Sequence, residues 1–310
     1  MLEGLLKVSK VRASIDIGSN STLLLIMNIE SKEILAEESR ITALGKNLDQ
    51  TKIFMTESME ATYDALSVYR DIAESYNILP QEIIVTATEA SRVAENAKEF
   101  FKRISDGLNI EIKTISGEGE AYYTALGICS MATSLGGEVI ILDVGGASSE
   151  FIKVQTSPFK ILDTISLPIG SVRSSDWIEK GTFEKELDQI FSQNNINEYL
   201  NTPILGVAGT LTSLALMNAN TLEYDADEIN SLSLTIENFE EFVKEKLMKF
   251  SEDDLEKFTY LGKRAATIKG GGICCLELLS RVSCPSLMFS TFGLRYGTLL
   301  SGGIDELYLL

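Results

Sequence analysis

Apolar residues recur along this chain in two periods, every second position and every third or fourth, and stretches of the two kinds alternate. The period-two and β-branched stretches predict strands over 11–17, 22–28 and 32–38, then over 82–87 and 111–115. Met59, Tyr63, Leu66, Tyr69, Ile72 and Tyr76 lie at helical spacing and predict an amphipathic helix over 56–76 that ends before Pro80. A second helix should carry Asn96, Phe100 and Phe101, and a third, opened by Ser116-Gly-Glu-Gly-Glu120, should run through Tyr122, Tyr123, Leu126 and Ile128. The pattern then starts again. Strands are predicted over 138–143, 149–154, 161–167 and 203–207, and a last one over 287–290. Helical stretches cover 183–200, the region of Leu211, Leu214 and Met217 with Thr210 as its cap, 235–250 and 264–280, and a closing helix starts at Gly293. Strands alternating with helices in two similar halves imply an α/β protein with mixed sheets.

The repeat is sharpest at two strand ends. Ala13 to Ser21 reads Ala-Ser-Ile-Asp-Ile-Gly-Ser-Asn-Ser, and Ile140 to Glu150 reads Ile-Ile-Leu-Asp-Val-Gly-Gly-Ala-Ser-Ser-Glu. In each, an apolar run ends in an aspartate, an apolar residue, glycine and small polar residues, and the aspartates Asp16 and Asp143 lie 127 positions apart. The interval implies two related domains facing a shared cleft, over 1–127 and 128–310, the closing helix being a candidate to pack back on the first. Gly18, Gly145 and Gly146 let backbone come close to a ligand, and successive N–H groups in such a turn form a concavity for anionic oxygens. One such turn alone could be only local geometry; two in matching places point to a ligand with phosphates. Gly18, Ser19, Asn20 and Ser21 are the first candidate phosphate group, and Gly145, Gly146, Ala147 and Ser148 the second. Gly209-Thr210 is a third small-residue turn. Carboxylates at the strand ends suit a Mg²⁺ that holds phosphate rather than phosphate itself.

Composition narrows the chemistry. With no histidine among 310 residues, histidine general bases, Ser-His-Asp triads and histidine zinc sites are excluded. Acid–base work falls to carboxylates, Lys, Tyr or Cys. The net charge of −18 argues against duplex nucleic acid as a partner, and it repels an anionic substrate unless cations intervene. Arg92, Arg173, Lys263, Arg264, Lys269 and Arg295 are the candidates for a local basic patch. Each could equally be a solvated surface charge. The four cysteines, Cys129, Cys274, Cys275 and Cys284, lack paired spacing and are expected reduced and buried. Leu5, Leu6 and their lysines do not make a signal-type apolar core, and no run is long enough to span a bilayer, so a cytoplasmic protein away from membranes is expected. Glu118 and Glu120 at a helix start could simply complement the helix dipole, or one of them could act as a base beside the two glycines.

Taken in order, Asp16 to Ser21, Thr86-Ala-Thr-Glu-Ala-Ser-Arg92 with Asn96, Ile115-Ser-Gly-Glu-Gly-Glu-Ala121, Asp143 to Glu150, Ser166-Leu-Pro-Ile-Gly170 with Arg173, Gly206-Val-Ala-Gly-Thr210 and Gly293-Leu-Arg295 resemble the exopolyphosphatase and guanosine pentaphosphate phosphatase family of the actin-like ATPase superfamily. The resemblance covers nearly the whole chain. It implies two actin-like, ribonuclease H-like domains and Mg²⁺-dependent (or Mn²⁺-dependent) removal of a terminal phosphate from polyphosphate or pppGpp. Glu120 matches the family's catalytic glutamate, with Glu118 as rival; Asp16, Asp143 and Glu150 match positions used around metal and phosphate, and Arg92 is a candidate to supply the phosphate contact that the family's usual arginine near Leu23 would make. A homodimer is among the assemblies expected. The chain departs from the family at Leu23, where an arginine is usual, at Ala147 for a glycine, at Ala266 for an aspartate, and at Thr291 and Phe292, where an aspartate is often found. Exopolyphosphatase is the leading expectation, with a pppGpp 5′-phosphatase second and a non-catalytic phosphate or nucleotide sensor third.

Overall fold

The structure, a computed structural model, describes residues 10–132 and 135–310; the segment with Leu5 and Leu6 lies outside the described residues. By compactness the chain divides into two units, Met1–Glu120 with Leu294–Leu310, and Ala121–Gly293.

The first unit is built on strands β1 (Val11–Ile17), β2 (Ser21–Asn28), β3 (Ile34–Ile41), β4 (Ile84–Ala87) and β5 (Ile112–Thr114). They lie in the order β3-β2-β1-β4-β5, antiparallel across the β1–β2–β3 meander and parallel from β1 through β4 to β5. Ala13, Ile15 and Ile17 alternate along β1 and enter one core, as period two requires. That core is closed by helices α1 (Thr56–Ser75), α2 (Glu89–Val93) and α3 (Ala97–Leu108) through Leu66, Tyr69, Ala90, Phe100 and Ile104. Tyr69 donates its buried hydroxyl to the Thr22 carbonyl at 2.9 Å, and burial pushes its pKa up to about 12.

The second unit repeats the plan. Its strands are β6 (Glu138–Val144), β7 (Ser149–Thr156), β8 (Phe159–Leu167), β9 (Ile204–Val207), β10 (Ser233–Thr235) and β11 (Ser286–Phe289), ordered β10-β11-β9-β6-β7-β8. A meander of three antiparallel strands followed by parallel neighbours is thus found twice, which is the ribonuclease H-like strand order of the actin-like fold. Ile140, Leu142 and Val144 of β6 face one core and Val139 and Ile141 another, so this sheet is covered on both faces.

The next helix, α4 (Gly117–Met131), crosses the division between the units, and Ala121, Ala125 and Ile128 on it cover one face of the second sheet. Helices α5 (Ser171–Glu179), α6 (Phe183–Gln193), α7 (Ala208–Ala219) and α8 (Ile268–Arg281) belong to the second unit. Closing the chain, α9 (Leu294–Ser301) returns to the first unit, where Thr298 shares a 2.7 Å hydroxyl bond with Ser14.

Three expectations are corrected. Thr210 is not a cap: α7 begins at Ala208, so Thr210 lies inside the first turn with its side chain buried. The helix expected over 264–280 is two pieces, a 3₁₀ turn over Gly262–Ala266 and then α8, with Thr267 at φ −119° between them. Arg295 is no part of a basic patch; its guanidinium donates to the Leu24 carbonyl and to Glu37, both at 2.7 Å. Glycines 270–272 serve close packing, since a Cβ at each would fall within 3 Å of Ser175, Thr210 or Leu247. Cys274, Cys275 and Cys284 are buried and Cys129 half-buried, all as free thiols; burial pushes Cys274 up to about 12 and Cys129 up to about 11.

Candidate active site

The turns after β1 and β6 are each closed by an internal hydrogen bond of the same kind. Gly18 N donates to Ser21 O at 3.0 Å, and Gly145 N donates to Ser148 O at 3.0 Å. Each turn is then anchored through its carbonyls. In the first unit Gly45 N donates to Ser19 O, and Thr42 N and Ala43 N to Asn20 O. In the second, Ser171 N donates to Gly145 O and Val172 N to Gly146 O, while Arg173 Nη1 donates to Ala147 O at 2.8 Å. In a trans peptide the N–H of the next residue points opposite to the C=O. The amides of Asn20 and Ser21, and of Gly146, Ala147 and Ser148, therefore face away from the anchoring segment, as an anion-binding concavity requires. Close approach on the anchored side depends on two more glycines. A Cβ at Gly45 would meet Ser19 Cβ at 2.9 Å, and one at Gly170 would meet the Gly146 carbonyl carbon at 2.6 Å. Gly45 carries no sequence signal beyond being a glycine some 25 residues after the turn, and it escapes a reading by motif.

Strand register sets the carboxylates. Asp143 on β6 lies directly opposite Glu150 on β7, and Glu150 directly opposite Ser166 on β8, so all three occupy one face. The Ser166 hydroxyl donates to Glu150 Oε1 at 2.7 Å. Two like charges in directly opposed positions destabilise a sheet unless a cation joins them. The matching row in the first unit is Asp16, Leu23 and Ser39, so the carboxylate pair is confined to the second unit. The described residues contain no group of three or more carboxylate, cysteine or histidine side chains able to hold a metal. A pair of carboxylates nonetheless fits Mg²⁺, which keeps several waters and takes one or two protein carboxylates plus phosphate oxygens.

Glu120 sits in the first turn of α4, capped where the Ser116 hydroxyl accepts from Gly119 N at 3.1 Å. Its neighbour Glu118 is exposed; the Glu120 side chain is 21% exposed and meets Arg92 of α2. Arg92 donates from Nη1 and Nη2 to Glu120 Oε2, both at 3.0 Å. It also donates from Nε at 3.2 Å and Nη2 at 2.8 Å to Glu89 Oε2, and from Nη1 to Ile115 O at 2.9 Å. A guanidinium has five N–H donors, and all of them are engaged. Burial pushes the Glu120 carboxyl above the ordinary carboxylate range and the Glu89 charge adds to it, against the pull of Arg92. A glutamate raised in this way is a stronger proton acceptor than a free carboxylate.

The third turn carries strain. Ala208, its first helical residue, has φ 65°, in the left-handed region that glycine occupies freely and alanine does not. Over the next residue lies Arg264, whose guanidinium occupies the space a Gly209 side chain would need. Arg264 donates to Ser213 Oγ at 3.1 Å and makes no ion pair among the described residues; burial pulls its pKa down. Gly271 packs against both Thr210 and Ser171, so the second and third turns of this unit are neighbours. The remaining basic candidates divide: Lys269 is spent on the Phe250 carbonyl at 2.6 Å, and Lys263 is exposed.

Each unit thus presents a glycine turn with outward amides beside acidic side chains, the apparatus of a phosphate-handling α/β protein. Residues 25–303 match the Ppx/GppA phosphatase family, and the chain belongs to that family. It is 29% identical over 94% of its length to a bifunctional 3-dehydroquinate synthase/phosphatase of Fusobacterium nucleatum, 46% of which is covered. It is 32% identical over 62% of its length to a guanosine-5′-triphosphate,3′-diphosphate pyrophosphatase of Vibrio atlanticus, 38% of which is covered. The chain therefore spans less than half the length of these two relatives. Among solved structures it resembles the Aquifex aeolicus Ppx/GppA family member, with TM-score 0.75, 29% identity and coverage of 94% of this chain and 96% of that one. It also resembles an exopolyphosphatase from Cytophaga hutchinsonii, with TM-score 0.82, 25% identity and coverage of 94% and 98%. Among the described residues no helix is long and apolar enough to cross a membrane.

Proposed function

We propose that this chain is a phosphoanhydride hydrolase that removes the terminal phosphate of inorganic polyphosphate. The observation that carries the reading is Glu120, a largely enclosed carboxylate with raised proton affinity, held by an arginine at the start of a helix. Glu120 takes a proton from water as the water oxygen bonds to the terminal phosphorus. The bond from that phosphorus to its bridging oxygen breaks, and the oxygen leaves with the shortened chain. The outward amides of each unit's own turn, at Gly18 in the first and at Gly145 with Gly209 and Thr210 in the second, are suited to hold non-bridging oxygens. Asp143 and Glu150 would hold Mg²⁺, which when bound neutralises charge on the phosphate oxygens; Asp16 holds the matching strand-end position in the first unit and is a candidate metal or phosphate residue there. A pppGpp 5′-phosphatase is the second reading, favoured by the likeness to the Vibrio atlanticus pyrophosphatase.

The test is phosphate release, with Mg²⁺, from polyphosphates of several lengths, pppGpp and ATP, by wild type and Glu120→Gln. Loss of turnover by about a hundredfold or more with folding retained is expected for removal of a general base. Unchanged turnover rejects the assignment, and ligand-induced stabilisation without any release would mark a sensor instead.

A further inference from the structure

The engagement of all five Arg92 donors raises a question of access: a phosphate can reach this guanidinium only by displacing an acceptor already on it. The three acceptors differ in what release would entail. Ile115 O belongs to backbone at a fully buried residue. The Glu120 side chain is 21% exposed, and loss of its cation would leave a carboxylate largely out of water. The Glu89 side chain is 38% exposed, and its carboxylate can be rehydrated in place. Glu89 also occupies the Nε–Nη2 edge of the guanidinium, the two-donor edge on which a phosphate docks with two parallel hydrogen bonds.

We propose that Glu89 is a positioning residue that acts through Arg92 as a displaceable stand-in for substrate phosphate. In the free protein it holds the guanidinium flat against Glu120; on binding, a phosphate terminus takes over its edge while the Arg92–Glu120 contact persists. This rests on the hydrolase reading above for the identity of the ligand. The exchange makes the site selective for ligands that bind through more than one phosphate. A polyphosphate or nucleotide phosphate terminus, reinforced by its other contacts, outcompetes the resident carboxylate, whereas orthophosphate, the product, competes poorly and leaves. Glu89 therefore weakens product binding, which speeds release.

The experiment measures orthophosphate and tripolyphosphate binding by calorimetry, with Mg²⁺ present, for wild type, Glu89→Gln, Glu89→Gln/Arg92→Ala and Glu95→Gln. Glu95 is an exposed carboxylate just after α2, so its variant carries the same net charge as Glu89→Gln and reports the general field alone. A gain in orthophosphate affinity of roughly threefold to tenfold is expected for Glu89→Gln, well beyond that of Glu95→Gln and abolished by the added Arg92→Ala. In steady-state assays the same variant should show a lower KM and stronger inhibition by orthophosphate. An unchanged or weakened affinity, a gain matched by Glu95→Gln, or no orthophosphate binding to any form would overturn the proposal. Failure of the hydrolase reading is separable: absence of phosphate release, or release that ignores Glu120→Gln, refutes that reading, while the binding series still decides Glu89.

Discussion

Replacement of Arg92 by alanine exposes how the Glu120 carboxylate is kept. The change removes five hydrogen bonds, two of them to a carboxylate with a fifth of its side chain in water and two to the more exposed Glu89. Removing one partner of a buried pair costs about 3–5 kcal/mol. Partial exposure of Glu120 and easy rehydration of Glu89 bring the expected cost here to about 2–4 kcal/mol. Adding Glu120→Gln takes away the stranded charge, so the double variant should lose only about 1–2 kcal/mol, less than the sum of the single variants. The pH dependence has a definite sign. Burial already raises the Glu120 pKa, and without Arg92 it rises further. A carboxyl whose folded pKa lies above its unfolded one contributes stability at low pH and loses it as pH climbs through the folded value. Urea melts at about pH 5 and about pH 8 should therefore show the smaller Arg92→Ala penalty at the acidic end. Additive single-variant costs, together with a penalty indifferent to pH, would refute the reasoning.

Ala208→Gly should stabilise the protein by about 1 kcal/mol in the same melts, since it relieves a left-handed alanine; destabilisation would mean the φ 65° residue is held by something glycine does not supply. Glu150→Gln removes one of two directly opposed carboxylates, so the metal-free protein should gain a few tenths of a kcal/mol, while the Mg²⁺ concentration needed for half-maximal phosphate release should rise about tenfold or more. A variant with unaltered Mg²⁺ dependence would remove Glu150 from the metal.

Much of the fold was legible because burial writes itself into period. Strand β1 over Val11–Ile17 and helix α1 from Thr56 fall where the alternation and the aromatic stripe put them. Strand β10 was not legible: Ser233, Leu234 and Thr235 are too few to show a period, and they become a strand only by pairing with β11. The break at Thr267 was equally hidden, since residues on both sides keep helical spacing. At the site, the turns and Glu120 could be found by pattern. What pattern lacks is partnership. Nothing in the order of residues said that Arg92 would reach Glu120, that Gly45 would back the first turn, or that Arg264 would lie over Gly209, because each depends on a contact between segments far apart in the chain.

The first unit is discontinuous: its last helix, α9, joins β1 by bonds such as Ser14–Thr298, 284 positions apart. The second unit is one uninterrupted segment. During synthesis the later-made unit can therefore close its interior as soon as it emerges, whereas the earlier-made one waits, one face of its central strand uncovered, until α9 is delivered. Translation order and completion order are reversed, and the waiting half, which carries Glu120, is where a chaperone would be expected to bind a nascent chain.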